Sequence, residues 1–93
     1  MNASDLAGRT MAHVAIEREI RSLGSTEARL AKCIENAPDF AMKEETDDDG
    51  HCLVARWTDR VGGKRGLKVP VDGDAKDNLV EACLYAMLVR DLP

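Results

Sequence analysis

Aromatic residues are nearly absent from the chain. Phe40, Trp57 and Tyr85 are the three among 93 residues, so a core must be assembled mainly from Leu, Val, Ile, Met and Ala. Long apolar runs are missing too. The longest uninterrupted one, Ala82–Val89, spans eight residues, far short of the ~20 that a membrane span requires. The first residues, from Met1 to Arg9, have neither the basic start nor the apolar stretch of an export signal. A cytoplasmic protein is therefore expected. No Pro/Ser-rich or low-complexity tract argues for disorder. Cysteine is sparse and odd in number. Cys33, Cys52 and Cys83 lie far apart among apolar neighbours, which suits reduced thiols rather than a disulfide framework.

What is present is ordinary for a globular chain: 44% apolar and 32% charged residues. The length predicts one domain over 1–93. A chain of this size buries only about 60–70% of the surface exposed when unfolded. That leaves room for one modest core and little for a deep substrate cavity.

The net charge of −4 conceals a polarised layout. Residues 1–37 are balanced. Residues 38–50 carry Asp39, Glu44, Glu45, Asp47, Asp48 and Asp49 against Lys43, a net of −5. Residues 51–68 carry Arg56, Arg60, Lys64, Arg65 and Lys68 against Asp59, a net of +4. Residues 69–93 are acidic again, at −3. Charge runs of this kind usually form solvated surface, and two of opposite sign attract each other. The alternative is that one of them is a docking face.

Periodicity predicts three regions. Ile16, Ile20, Leu23, Leu30, Ile34 and Ala37 recur mostly at three- and four-residue steps, one face of a helix over 4–37. Gly24 and the capping residue Ser25 predict a bend or break there, and Pro38 ends the region. A β-meander is expected over 39–72. Phe40 and Met42, then Leu53, Ala55 and Trp57, then Leu67, Val69 and Val71 each alternate with polar or outward positions. Asp47–Gly50 and Val61–Gly66 are the expected turns. Pro70 cannot donate to a ladder, which puts the third strand at an edge and the second in the centre. A last helix is expected over 74–91. It is apolar on more than one side, which suits burial between sheet and first helix, or a homodimer interface. The predicted class is α+β, in the order α-β-β-β-α, with helices packed on one face of a three-stranded antiparallel sheet.

Candidate chemistry is thin. Structural zinc ligands come in close pairs. Only His51 and Cys52 are close, and strand neighbours point to opposite faces. The cysteines therefore read as small core residues, with no metal or cofactor expected. Glu45-x-Asp47-x-Asp49-Gly50 opens like a calcium loop, but the twelfth position is Arg56, not Glu. Gly62-Gly63-Lys64-Arg65-Gly66 lacks the ending and the following helix of a P-loop. It reads as a hairpin turn, or as a basic finger for phosphate. His13 and His51 have no nucleophile partner at a recognisable motif. The chain is not expected to be an enzyme.

Three resemblances follow from these residues. The α-β-β-β-α order, with Gly50-His51 between strands, resembles the double-stranded-RNA-binding domain. Where that family has a Lys-rich helix start, this chain has Asp72-Gly73-Asp74-Ala75-Lys76-Asp77, whose acidity repels phosphate. The run Ile20–Ala31 is similar to half of a helix-turn-helix repressor. It continues through Ile34-Glu35-Asn36-Ala37-Pro38-Asp39 instead of a recognition helix. In build, and in the helix from Asn78 to Leu88, the chain resembles small α/β sandwich proteins of phages and mobile elements, the anti-CRISPR-type inhibitors among them. That likeness implies an accessory factor or inhibitor.

The functional expectation is a non-enzymatic intracellular module that binds a protein, such as a phage-type inhibitor on a nucleoprotein complex. Glu44, Glu45, Asp47, Asp48 and Asp49 would form its acidic face. The alternative is a nucleic-acid-binding regulator using Arg56, Arg60, Lys64, Arg65 and Lys68.

Overall fold

The computed structural model of the protein describes residues 3–90. Three helices and three strands follow one another: α1 (Ala3–Ser22), α2 (Thr26–Asn36), β1 (Ala41–Asp47), β2 (Gly50–Thr58), β3 (Lys64–Pro70) and α3 (Ala75–Arg90). The α+β class and the antiparallel meander are as the sequence predicts, and the helical first third is two helices. The final position expected in the last helix, Asp91, lies outside the described residues.

Helix α1 stops where the sequence changes character. Gly24 adopts φ +78°, a conformation that costs most residues a steric penalty and glycine none. Its N–H bonds the Arg21 carbonyl at 3.1 Å. Ser25 then starts α2, its hydroxyl accepting the Ala28 N–H at 3.1 Å. Arg29 locks this corner. Its Nε donates to the Ile20 carbonyl at 2.9 Å, and its guanidinium lies 3.6 Å from Glu81 of α3. On α2 the apolar line runs differently from the predicted one. Cys33 is fully buried, whereas Ile34 is 45% exposed. The break at Gly24 resets the helical phase, so α2 presents a face that continuing the α1 stripe does not find.

The sheet order is β1-β2-β3 with β2 central, and Pro70 closes the edge strand β3. The register pairs Met42 with Ala55 and Ala55 with Leu67, and likewise Leu53 with Val69. These residues share one face with Trp57, and α3 packs on β2 and β3 across it. Helices α1 and α2 pack in turn on α3. Leu79, Val80, Cys83 and Leu84 are fully enclosed, so the broad apolar surface of α3 is used within one chain. Phe40 meets Trp57 at a ring separation of 5.9 Å. Ile16 and Ile20 seat the second half of α1, while Met11 is 73% exposed. The radius of gyration, 14.5 Å, exceeds the ~12 Å of a compact chain of this length.

The second turn is shorter than predicted. Asp59–Gly63 makes the connection, and Lys64, Arg65 and Gly66 already belong to β3. Among the described residues no helix is long and apolar enough to cross a membrane.

Candidate docking groove

A meander places its two turns at opposite ends of the sheet. The acidic run lies at the β1–β2 end, and Arg60, Lys64 and Arg65 lie at the β2–β3 end. The five predicted acids do not share a face. Glu45 and Asp47 point to the helix-free side, and Glu44 points to the other, because alternate strand residues face opposite ways. Most of the charge is met within the chain. Glu45 forms a two-pronged pair with Arg56, and Lys43 approaches it at 3.8 Å. Lys68 bridges Asp47 and Asp49 at 2.9 and 3.0 Å. The Arg56 hydrogen bond holds the Glu45 carboxyl below its ordinary range, and the Lys68 bond does the same for Asp47. Asp47 and Asp49 together push the Lys68 ammonium upward.

The predicted basic set divides for the same reason. Arg56 and Lys68 face the acids on the helix-free side. Only Arg60, Lys64 and Arg65 remain at the far end. On the helix-free side Val54 and Cys52 are buried although they face away from the core. Val54 sits in register between Lys43 and Lys68, whose stems can cover it while the ammonium groups reach the carboxylates.

The far end is organised by Asp59, a minority acid in the basic stretch. Its side chain is 5% exposed. Oδ1 accepts the N–H groups of Gly63 at 2.7 Å and Val61 at 3.1 Å, which fixes the turn. Oδ2 accepts Arg65 Nε at 2.9 Å, and Arg90 Nη2 of α3 lies 3.2 Å away. The Gly63 backbone bond, with Arg65 next, keeps the Asp59 carboxyl below its usual value. A Cβ on Gly63 would stand 2.8 Å from Asp59 Oδ2, so a side chain there displaces the carboxylate. Asp39 fastens the neighbouring corner. Its carboxylate accepts the Thr58 N–H at 2.9 Å and the Thr58 hydroxyl at 2.6 Å.

Between this turn, the end of α2 and the end of α3 runs a groove of about 560 Å³. Ala37, Trp57, Ala86, Met87 and Val89 give it an apolar lining, and Arg60, Arg65 and Arg90, with Asp59 opposed to them, contribute the charge. Val61, 81% exposed, forms an apolar lip. Asn36 lines the wall, and its Nδ2 is buried without a hydrogen-bond partner. The volume is in the range of sites that take a side chain or small ligand. A second, shallower groove of about 350 Å³ between α1 and α3 is walled by Glu17, Arg21 and Glu81, of mixed sign.

Sequence spacing missed one polar cluster. Thr46 Oγ1 is 3.0 Å from His51 Nδ1, and His51 Nε2 is 3.1 Å from Glu44 Oε2. Hydroxyl, imidazole and carboxylate stand in the order of a nucleophilic triad. They lie on an exposed strand surface, at a site that lines neither groove. The His51 and Glu44 side chains are 53% and 60% exposed, so water reaches the whole relay. The cross-strand pairing of Thr46 with His51 is sufficient cause for the cluster. His13, the other histidine, packs edge-on against Tyr85 at 5.8 Å.

The three cysteines are free and buried. Burial pushes the Cys33 thiol up to about 11 and, with Cys33 nearby, the Cys83 thiol up to about 12. Both are neutral at pH 7. Among the described residues no group of acids, histidines and cysteines could hold a metal ion. Compared with known proteins, the chain matches no family model, no curated protein and no solved structure.

Proposed function

We propose that the protein is a non-enzymatic module that binds another protein, and that it docks through the groove at the β2–β3 end. The observation that carries this reading is the unequal use of charge at the two ends of the sheet. On the helix-free face, Arg56, Lys43 and Lys68 reach toward the β1–β2 end and engage its acids Glu45, Asp47 and Asp49. At the β2–β3 end, a single enclosed carboxylate serves two half-exposed guanidinium groups beside an apolar hollow. Apolar area with a few oriented polar groups is what a docking site needs. Catalysis would need a titratable group held in an enclosed hollow with a reacting partner, and the groove's anionic member, Asp59, is committed to the turn and to two arginines.

In the phage-type inhibitor reading, the acidic hairpin still has a part. Asp48 and the partly neutralised acids around it supply long-range steering toward a basic partner, an effect on association rate more than on final affinity. The arginine-rich end also suits an oligonucleotide, which makes nucleic acid the competing occupant of the same surface.

A photo-crosslinking residue placed at Val61, and separately at Lys43, tests the docking site in lysate from the native cell. A discrete protein adduct from Val61, absent from Lys43, is expected. Adducts that vanish with nuclease treatment, or equal labelling from both positions, would exclude protein docking at the groove.

A further inference from the structure

Resting on the groove as docking site, we infer that the segment it receives is an acidic stretch of polypeptide carrying a bulky apolar side chain. The charge balance comes first. Arg65 and Arg90 share the Asp59 carboxylate, each through one nitrogen in contact with Oδ2. A guanidinium has five N–H donors in a planar fork. The side chains of Arg65 and Arg90 are 42% and 48% exposed, so donors on both face the solvent side. Among the described residues Asp59 is the one carboxylate paired with either arginine, and an incoming carboxylate adds a charge-assisted, two-pronged contact to their remaining donors.

The hollow sets the second requirement. Its lining of Ala37, Trp57, Ala86, Met87 and Val89 is mostly apolar, with the polar groups of the groove gathered at Thr58–Arg65, Asn36 and Arg90. Filling about 560 Å³ takes a large apolar group, and burying a Leu- or Phe-sized side chain there is favourable. The exposed Val61 lip extends this apolar surface outward. A lysine-rich segment meets arginines of its own sign. A nucleic acid strand can use the arginines through phosphate, but it has little aliphatic surface for the hollow, whose one aromatic residue, Trp57, is only 6% exposed for stacking. An acidic polypeptide with one apolar anchor meets both the arginine rim and the apolar lining.

A displayed library of random peptides of roughly 12 residues, selected on the immobilised protein and counter-selected on an Arg65→Gln/Arg90→Gln variant, tests this directly. Survivors should be rich in Asp and Glu around a Leu, Met, Phe or Trp. Fluorescence polarisation of a representative survivor should show a loss of roughly tenfold or more when its anchor becomes Ala or its acids become Lys. Val61→Glu, at a site with no core role, should weaken binding by a similar factor, with an unchanged thermal midpoint as the folding control. Survivors that are basic or lack a bulky apolar residue, an empty selection, or a labelled single-stranded oligonucleotide binding more tightly than any peptide would each overturn the inference. If the selection fails while the Val61 protein adduct persists, the ligand class is wrong and the docking site stands. If both are absent, the docking site falls too.

Discussion

The two ends of the sheet carry comparable densities of charge and use it in opposite ways. On the helix-free face, acids on β1 and its turn meet bases on β2 and β3 across the ladder. Exposed pairs of this kind contribute little net stability, because each charge was already well solvated. At the β2–β3 end, an enclosed carboxylate organises a turn, and two arginines converge on it from a strand and a helix. There the ion pair is coupled to backbone geometry and to a concave apolar surface. Charge density in a stretch of sequence therefore says little about docking. What matters is whether the register returns an opposite charge to the same face.

Helix α3 spans both ends, so the sharpest way to break the comparison is to weaken it at each. Leu79 is fully enclosed in the core, and Leu79→Ala should cost roughly 2–5 kcal/mol in urea unfolding. Met87 also lines the groove and is 8% exposed, and Met87→Ala should cost less, about 2 kcal/mol, because the cavity left behind opens onto the groove. Equal losses would mean that the groove is closed in solution.

The carboxylates separate the ends next. Asp59→Asn should lower the thermal midpoint by roughly 5–10 °C, and Asp47→Asn by less than about 3 °C. Asp59, Asp39, Asp47 and Glu45 all have folded values depressed below 3.8 or 4.5. Their stabilisation is present above about pH 4 and is lost as pH falls through the lowered folded values, where the unfolded chain binds protons more readily. Acid titration of stability should thus be distinctly shallower in Asp59→Asn than in Asp47→Asn. Similar acid profiles for the two variants would erase the distinction between the ends.

Charge reversal sharpens the contrast at the level of binding. Changing Asp47, Asp48 and Asp49 to Lys should alter affinity for a groove-selected peptide by less than about threefold, chiefly through association rate. Changing Arg65 and Arg90 to Glu should weaken it by more than tenfold, or roughly 1.4 kcal/mol. The opposite order, read by stopped-flow association and dissociation, would move the docking site to the acidic hairpin.

The smallest expected difference concerns the thiols. A disulfide exchange reagent should modify Cys52, beneath the charged side chains of the helix-free face, before Cys33 and Cys83. The latter two should react only with global unfolding. Raised thiol values also mean that stability falls as pH rises from about 9 toward 11–12, where the unfolded chain ionises first. Reaction of Cys33 or Cys83 at the rate of Cys52 would show that α2 opens from α3 in the native state.

Much of the fold was legible because it depends on short-range periodicity. Alternation around Ala55 named the inner face of β2, Pro70 named an edge strand, and Gly24-Ser25 named the helix break. Ile34 was misassigned because a break in a helix also shifts its phase. The groove was not legible. Its walls come from Asn36–Ala37, Trp57–Arg65 and Ala86–Arg90, three segments joined only by tertiary packing. Asp59 looked like a lone acid diluting a basic run, and its role emerges from a turn that ends at Gly63 and a helix that ends at Arg90. Arg56 and Lys68 looked like members of that run, yet strand alternation turns them to the helix-free face, where their side chains reach the acids of β1 and its turn.

The most direct test of the central claim is an amide chemical-shift titration of the folded protein with a groove-selected acidic peptide. Shifts confined to Asn36–Ala37, the Thr58–Arg65 turn and the last turn of α3 are the predicted result. Shifts centred on Lys43–Gly50, or a spectrum unmoved at saturating peptide, would contradict it.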